Sequence, residues 1–478
     1  MVTRNFECCI LGAGPAGMGV ATELVKHGVT NFVIVDKNSQ PGGLSRTEIF
    51  DGARFDVGPH RFFTANKEVN HLWHETLGGD FRPVQRLTRI FYKGKMFQYP
   101  IKAVDSLVKL GPVEAVQALY SYLIAKSKRH RDAQTFEEWI TQKFGSKLYE
   151  TFFKTYTEKV WGIPCNQIGA EWAAQRIKGL DILQVIKNAL LKGPANKPKT
   201  LVDQFDYPSL GAGQMYEAMA EQSVAKGAEL LLNHRVVEFT RKGNKIQSVT
   251  IADSKGERMC ITASHFFTSI PITHFFKLLG PPETDEVRQA TDALYYREHI
   301  TVDLLIDAEN LFPDQWIYVH SPDVAMARLA NYNNFSKLMA GKAGKTAVSV
   351  EYFCFKQDKI WETADADLLS QAGDELEYMN LVDKKTVERG WVVRETESYP
   401  TYYLGFREPY EKLKGCLLKY DNLSPIGRGG LYKYNNQDHA ILSGLLAARN
   451  YLGLAGSPYD VWAINSDAEY LEEATRGE

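Results

Sequence analysis

The run Gly12-Ala-Gly14-Pro-Ala-Gly17 is the most legible chemistry in the chain. Gly12 permits a tight turn, Gly14 lets the backbone approach a pyrophosphate, and Gly17 lets a helix pack closely on a strand. Asp36, about 20 residues on, is placed to accept hydrogen bonds from an adenosine ribose. These residues bind a dinucleotide; none of them is a nucleophile. Far along the chain stands a second run, Gly427-Arg428-Gly429-Gly430-Leu-Tyr432-Lys-Tyr434-Asn-Asn436-Gln437-Asp438-His439. A plain glycine turn does not call for so many polar and aromatic residues. Cation, phenols and amides ahead of a helix suit an anionic ligand, because a helix N-terminus carries partial positive charge.

Both runs need elements to hold them. Phe6–Leu11 is a short apolar run ending in glycine, which predicts a buried parallel strand. A helical pattern extends from the glycines to about Lys26, and a second strand, Asn31–Val35, delivers Asp36. After the second run an apolar helical pattern extends from Ala440 to about Leu452, with Asp438 as its N-cap or first-turn acid. Between the two ends, Phe91–Phe97 reads as a hairpin turning at Lys93-Gly94. Thr135–Phe144 reads as a helix with a capping box from Thr135 and Glu138. Lys147–Val160 reads as another, its stripe of Tyr149, Phe152, Phe153 and Tyr156 being mostly core. Lys187–Asp206 is polar and rich in lysine and proline, the composition of a loop or linker. His299–Asp307, Trp316–His320 and Thr346–Phe353 are β-rich and predict an antiparallel sheet.

Composition narrows the class. The 478 residues are 44% apolar and 24% charged with a net charge of −2, an ordinary globular balance spread over two or three domains. That charge argues against a nucleic-acid partner, which would need a basic face. The six cysteines contain no C-x-x-C pair, so neither a metal site nor a disulfide framework is expected, only buried reduced thiols. No signal peptide and no run of about 20 apolar residues is present, so the expectation is a cytoplasmic protein without a membrane span. Oligomeric state stays open, a homo-oligomer included.

Gln40-Pro-Gly42-Gly43-Leu44-Ser45-Arg46 resembles the second glycine motif of the glutathione-reductase-like flavoproteins, especially the amine-oxidase branch. The resemblance implies FAD, with Gly42 and Gly43 passing close to the phosphates and Arg46 supplying charge beside them. Asn233-His-Arg235-Val-Val237-Glu238 resembles the strand of these enzymes whose backbone, at Val237, meets the adenine. Phe266-Phe-Thr268-Ser269-Ile-Pro271 resembles the stretch where the chain returns to the nucleotide domain. Gly429, Asn436, Gln437 and Asp438 would then face the flavin, the helix start lying toward its pyrimidine edge. The implied fold is α/β: a Rossmann-like, glutathione reductase-type FAD-binding domain with an inserted helical domain and an antiparallel β-sheet substrate domain. The expected division is 1–90 with 207–290 and 420–465 for the FAD-binding domain, 101–200 for the helical domain, and 91–100 with 291–419 for the sheet domain.

Further segments, in order along nearly the whole chain, resemble the UDP-galactopyranose mutases. They are Gly58-Pro59-His60-Arg61-Phe62-Phe63-Thr64, Tyr92–Tyr99, Tyr156-Thr-Glu158-Lys159-Val-Trp161-Gly-Ile-Pro164, Trp172-Ala-Ala-Gln175-Arg176-Ile177, Tyr399-Pro400-Thr401 and Gly427–His439. The resemblance implies a pyranose–furanose mutase acting on a nucleotide-diphosphate sugar. Reduced flavin is the nucleophile there, through N5, on the anomeric carbon. An external reductant such as NAD(P)H would supply the electrons. Residue by residue, Arg176 aligns with a diphosphate arginine and Arg428 with one beside flavin and sugar. Tyr399 and Tyr434 align with diphosphate-binding tyrosines, and Gly58, Pro59 and His60 with the loop that responds to flavin reduction. Arg176 read alone is equally an ordinary helix-surface arginine.

Two departures separate this chain from that pattern. A second diphosphate arginine expected near Leu305-Ile306-Asp307 is replaced by apolar residues, with Arg297 or Arg328 available to compensate. Pro59 stands where the mutases carry a smaller residue. An FAD-dependent oxidoreductase of the amine oxidase or protoporphyrinogen oxidase type is the alternative, and a non-catalytic flavoprotein a third. Hydride abstraction calls for an apolar slot over the flavin, whereas isomerisation calls for a diphosphate cradle, which the arginines and tyrosines favour.

Overall fold

Val2–Leu11 forms β1, and its inner half, Cys8–Leu11, is wholly buried because parallel neighbours flank it on both sides. The helix α1 (Pro15–Lys26) follows, with proline at its first position, where a missing N–H costs nothing. The strand β2 (Phe32–Val35) is buried throughout and ends at Asp36. A Cβ at Gly17 would run into the carbonyl oxygen of Gly12, so this helix packs on this turn only through glycine. The computed structural model describes residues 2–101, 103–127, 132–170, 204–280 and 284–465.

Among the described residues, β1 and β2 belong to a seven-stranded sheet that also contains Glu229–Leu231, Arg235–Lys242, Lys245–Ala252, Arg258–Thr268 and Leu423–Pro425. Its centre is parallel, Arg258–Thr268 pairing with both β1 and Leu423–Pro425. The helix Gln437–Leu452 lies on α1, and a Cβ at Gly444 would run into the carbonyl oxygen of Ala16. The two backbones therefore touch, and this contact brings the late glycine run back to the early one. Asn436 takes the N-cap, its N–H donating to His439 Nδ1 at 3.4 Å, and Asp438 sits in the first turn.

The other large sheet runs in the order Val387–Pro400, Tyr296–Ile306, Thr346–Cys354, Arg328–Asn331, Trp316–Val319, Thr88–Tyr92 and Lys95–Gln98. Every residue of Tyr296–Ile306 is buried, Leu305 and Ile306 included. The sheet is antiparallel except for one pairing: Trp316–Val319 runs parallel to Thr88–Tyr92. The strands expected to form an antiparallel sheet do so, and the parallel pair joins them to the hairpin Thr88–Gln98. The long stretch between the two partners, occupied by helices and other strands, is the crossover that a parallel pair requires.

The expected capping box is present at Phe136–Phe144: Thr135 accepts from the Glu138 N–H at 3.1 Å, and Glu138 accepts from the Thr135 N–H. The expected helix over Lys147–Val160 occurs as Ser146–Tyr149 and Thr155–Trp161 joined by a π-helical turn, Glu150–Lys154. The π-turn places Phe152 edge-on to Phe97 at 5.2 Å and Tyr156 edge-on to Tyr318 at 5.4 Å.

The expected loop Lys187–Asp206 lies outside the described residues as far as 203. Its end is corrected: Gln204–Pro208 is a strand paired with Phe81–Gln85. Phe205 and Tyr207 alternate into the core, a period-2 signal that the polar neighbourhood masked. Of the cysteines, Cys8, Cys9, Cys165 and Cys354 are buried free thiols, while Cys260 and Cys416 are only partly buried. No helix among the described residues is long and apolar enough to cross a membrane.

Candidate functional site

A cavity of about 770 Å³ opens where the two sheets meet. One wall is backbone: Gly12, Gly14 and Gly43, with a Cβ built on Gly43 only 3.1 Å from Gly14 Cα. Glycines at this crossing leave peptide groups facing open space, the surface a pyrophosphate needs. At this end Asp36 Oδ2 accepts from the Ala13 N–H at 2.6 Å and Oδ1 from the Asn38 N–H at 2.8 Å. Burial pushes its carboxyl pKa up, and those two N–H groups pull it partly back. Val237 lines the cavity beside Lys37, Asn38, His234 and Arg235. Volume, glycine wall, acid and strand backbone fit an adenine dinucleotide.

From the far end of the sequence Gly429, Asn436, Gln437 and Asp438 line the same cavity, with Arg428 and Tyr434. Gln437 is fixed from both sides, its Nε2 donating to Arg61 O at 3.1 Å and its Oε1 accepting from Tyr216 OH at 2.6 Å. Arg428 donates through Nη1 to Ser398 O at 3.1 Å, and through Nε and Nη2 to Asn435 O at 3.0 and 2.8 Å. Its guanidinium lies 4.8 Å from the Tyr399 ring and 5.0 Å from the Tyr434 ring, and those rings stack on each other at 5.3 Å.

Several expected residues touch the cavity indirectly. Tyr399 does not line it; its ring supports Arg428 and its hydroxyl accepts from Arg328 Nη2 at 3.4 Å. Gly42 is tied to Ala13 O through its N–H at 2.9 Å, Gly17 packs under Gly12, and Gly58 turns the chain at φ +91°. Arg46, expected to face phosphates, is instead held by two carboxylates: Glu48 at 2.6 Å and Glu395, with a further hydrogen bond to Gly43 O at 3.0 Å. The side chains of Arg46 and Glu395 are 5% and 7% exposed, so the arginine's charge is neutralised inside the protein. It braces the Gly42-Gly43 turn against the strand Val387–Pro400. Arg176 lies outside the described residues.

Of the two candidate arginines, Arg328 lines the cavity and Arg297 does not. Arg297 donates to Val160 O at 3.2 Å and Lys159 O at 3.1 Å and rests 4.1 Å over Phe355, away from the cavity. It closes the end of the helix Thr155–Trp161. Arg328 lines the cavity, paired with Glu351 through Nε at 3.1 Å and also through Nη2. Burial works against its charge, but Glu351, then Tyr399 and Tyr156, more than offset that and hold the guanidinium charged. Trp316 and Tyr318 also line the cavity, as do Glu395 and Glu397. Sequence reasoning had placed Trp316 and Tyr318 on a strand without giving them a role. Their i, i+2 spacing puts both on one face, which was the available signal.

His60 lines the cavity and is neutral. Burial first, then Arg428 and Arg328, lower its pKa to about 3. His299 stands close behind, its Nδ1 bonded to Ser398 Oγ at 2.8 Å, and burial with the same arginines lowers it to about 3 as well. A histidine whose folded pKa is depressed takes up its proton on unfolding. Its contribution is complete above the unfolded pKa of about 6.5 and is lost as pH falls toward 3. His299→Asn keeps a donor or acceptor for Ser398 and removes the titration. Unfolding free energies between about pH 6 and 4 should therefore fall less steeply than in the wild type, by about one proton or ~1.4 kcal/mol per pH unit. Parallel profiles for the two proteins would contradict the buried neutral state of His299.

Comparison with known proteins places this geometry. The pattern of the flavin containing amine oxidoreductase family matches residues 15–450. The chain is 25% identical over 277 residues to dTDP-fucopyranose mutase of Escherichia coli, covering 56% of this chain and 63% of that protein. It is 30% identical over 173 residues to a probable UDP-galactopyranose mutase of Klebsiella pneumoniae, covering 35% and 44%. The chain thus spans 44–63% of these relatives' own length, less than two thirds in each case. In fold, the chain is similar to the crystal structure of a reduced UDP-galactopyranose mutase, with a TM-score of 0.84 at 21% identity over 98% of this chain and 99% of that one. It is also similar to a putative protoporphyrinogen oxidase from Exiguobacterium sp. 255-15, with a TM-score of 0.69 at 15% identity over 94% and 99%.

Proposed function

The chain belongs to the flavin-containing amine oxidoreductase family, and from that membership we propose that it is an FAD-dependent mutase. It interconverts the pyranose and furanose forms of a nucleotide-diphosphate sugar. The observation that carries this reading is the pair Arg328 and Arg428, with Tyr434, on the wall of the cavity that the glycine motifs also line. Two fixed guanidinium groups with phenols between them suit a diphosphate that must leave and return. The names of the relatives, both nucleotide-sugar mutases, support the same reading.

FAD, bound in reduced form, would supply N5 as a nucleophile toward the anomeric carbon. The chain's own residues do the rest. Gly12, Gly14, Gly43, Asp36 and Val237 hold the dinucleotide, with Gly429, Asn436, Gln437 and Asp438 at the flavin end. Arg428 and Arg328 neutralise charge on the departing diphosphate, and Tyr434 with the backing of Tyr399 fixes their geometry. His60, neutral at physiological pH, can exchange a hydrogen bond with the flavin edge without placing a second cation beside the arginines. By the resemblance, Arg176 would be a further arginine in contact with the diphosphate. In this division of labour the N-terminal, 207–290 and 420–465 parts carry the cofactor, and the helical and sheet parts close over the sugar nucleotide. Reducing equivalents would come from outside, from NAD(P)H or a similar donor.

The family's amine-oxidoreductase members favour a second reading, hydride removal from a substrate. The two are separated by incubating dithionite-reduced protein with UDP- and dTDP-sugars and following ring isomers by NMR. Isomerisation by the reduced protein and none by the oxidised form is the expected result. Turnover by oxidised protein, with stoichiometric flavin reduction and no ring isomer, would replace the mutase by an oxidoreductase.

A further inference from the structure

The strand Val387–Pro400 does not run evenly beside Tyr296–Ile306. Glu395 pairs with His299 and Tyr399 with Arg297, so Thr396, Glu397 and Ser398 together face the single residue Glu298. The excess forms a bulge, and at its crest Glu397 sits at φ +57°. A non-glycine residue in that region is strained and persists only where its surroundings hold it. Here the surroundings are three contacts with the nucleotide-binding part of the molecule. Glu395, at one foot of the bulge, is paired with Arg46 beside the Gly42-Gly43 turn. Ser398, at the other foot, accepts through its carbonyl from Arg428 Nη1 at 3.1 Å. Glu397, at the crest, faces His274 of the helix Ile272–Leu278, its Oε2 lying 3.7 Å from Nδ1.

Glu395, Thr396 and Glu397 line the cavity, and so does His274. The bulge therefore crosses from the glycine wall to the helix Ile272–Leu278. Its anchor at Arg46 is buried, but the His274 side chain is 44% exposed and that of Glu397 24%. This pair stands on the rim, where the cavity meets solvent. Burial raises the Glu397 carboxyl pKa, and His274, Lys356 and Lys37 more than offset that and hold it below the usual carboxylate range. An anion is a poor direct ligand for a pyrophosphate, because like charges repel. Phosphate binding does not explain a strained glutamate here, whereas a contact between the two walls does. We propose that Thr396–Ser398 is a strap over the bound dinucleotide and that the Glu397–His274 pair is its latch, which opens for FAD to enter or leave. The inference rests on FAD occupying this cavity and not on the mutase reading. A flavin that serves as a resident cofactor has to be kept between turnovers, and a latch on the rim keeps it without touching the reacting end.

The test is FAD exchange in the full-length oxidised holoprotein. Release is followed by chasing bound FAD with an excess of radiolabelled FAD, and affinity by flavin fluorescence on dilution. A latch raises the barrier between the bound and free states and leaves the two states themselves unchanged. His274→Gln and Glu397→Gln should therefore each release FAD roughly two- to fivefold faster, the worth of one partly exposed ion pair. Association should quicken by the same factor, so Kd should stay at the wild-type value. Exchanging the charges, as His274→Glu with Glu397→Lys, rebuilds the pair and should restore slow release. Unchanged release in both single variants would overturn the proposal. A higher Kd with unaltered association would do so too, since it would make these side chains direct contacts of FAD. So would an exchanged pair that releases FAD as fast as the single variants. A wild-type protein that binds no FAD would remove the cofactor assignment and the strap together, whereas a yellow protein with unmoved exchange rates removes the strap alone.

Discussion

Arg428→Ala should lower the rate of ring isomerisation by about 10²–10³ while the protein keeps its yellow colour, since one well-placed charge donor is worth that much. Arg428 combines three features. It lies on the cavity wall, it carries a full charge, and its position is fixed by bonds to Ser398 O and Asn435 O between the rings of Tyr399 and Tyr434. Alanine removes the charge, frees two backbone carbonyls and lets the tyrosine stack relax. The dinucleotide end, from Gly12 to Asp36, is untouched, so flavin stays bound. Arg428→Lys keeps the charge but cannot bond both carbonyls in one plane, and should recover only a fraction of the loss. Steady-state kinetics with the reduced protein, and the flavin-to-protein absorbance ratio, check both statements. A flavin-bound Arg428→Ala that isomerises at the wild-type rate would remove this residue from the reaction.

The glycine-motif end of the cavity was legible because local rules govern it. Gly12, Gly14, Gly17 and Asp36 announce themselves by spacing, since a strand, a tight turn and a helix must follow one another at fixed distances. The return of Gly427–Asp438 to the same cavity was legible from chemistry, as polar and aromatic residues gathered before a helix. Arg46 was misread because its partners are remote in sequence. Glu395, which neutralises it, comes 349 residues later and is brought near only by the meeting of two sheets. The choice between Arg328 and Arg297 was illegible for the same reason: the strand Arg328–Asn331 is four residues long, and only its pairing with Thr346–Cys354 brings Glu351 and the cavity to it. The π-turn at Glu150–Lys154 was invisible because its sequence, ETFFK, suits an ordinary helix equally well. Tertiary packing on Phe97 and Tyr318 selects the wider turn.

Arg328→Ala should be the most damaging substitution on the substrate side, for two separable reasons. The first is catalytic: a guanidinium on the cavity wall is lost, and kcat/KM for the sugar nucleotide should fall by about 10²–10³. The second is structural. The Glu351 side chain is 1% exposed, and without its partner a carboxylate is left uncompensated in the interior. Breaking one side of a buried pair costs about 3–5 kcal/mol, so the single variant should also melt well below the wild type. Low activity in that variant alone would therefore prove little. Replacing both members, as Arg328→Met with Glu351→Leu, removes the stranded charge and keeps the volume, and pairs replaced this way are often as stable as before. The double variant should recover most of the melting temperature and none of the turnover. Glu351→Gln, which keeps Arg328 and one of the two acceptors it donates to, should lose less activity than either. Recovery of isomerisation in the double variant would show that Arg328 supports the fold alone. Recovery of stability without activity separates its two roles and leaves the diphosphate as the partner its free N–H groups face.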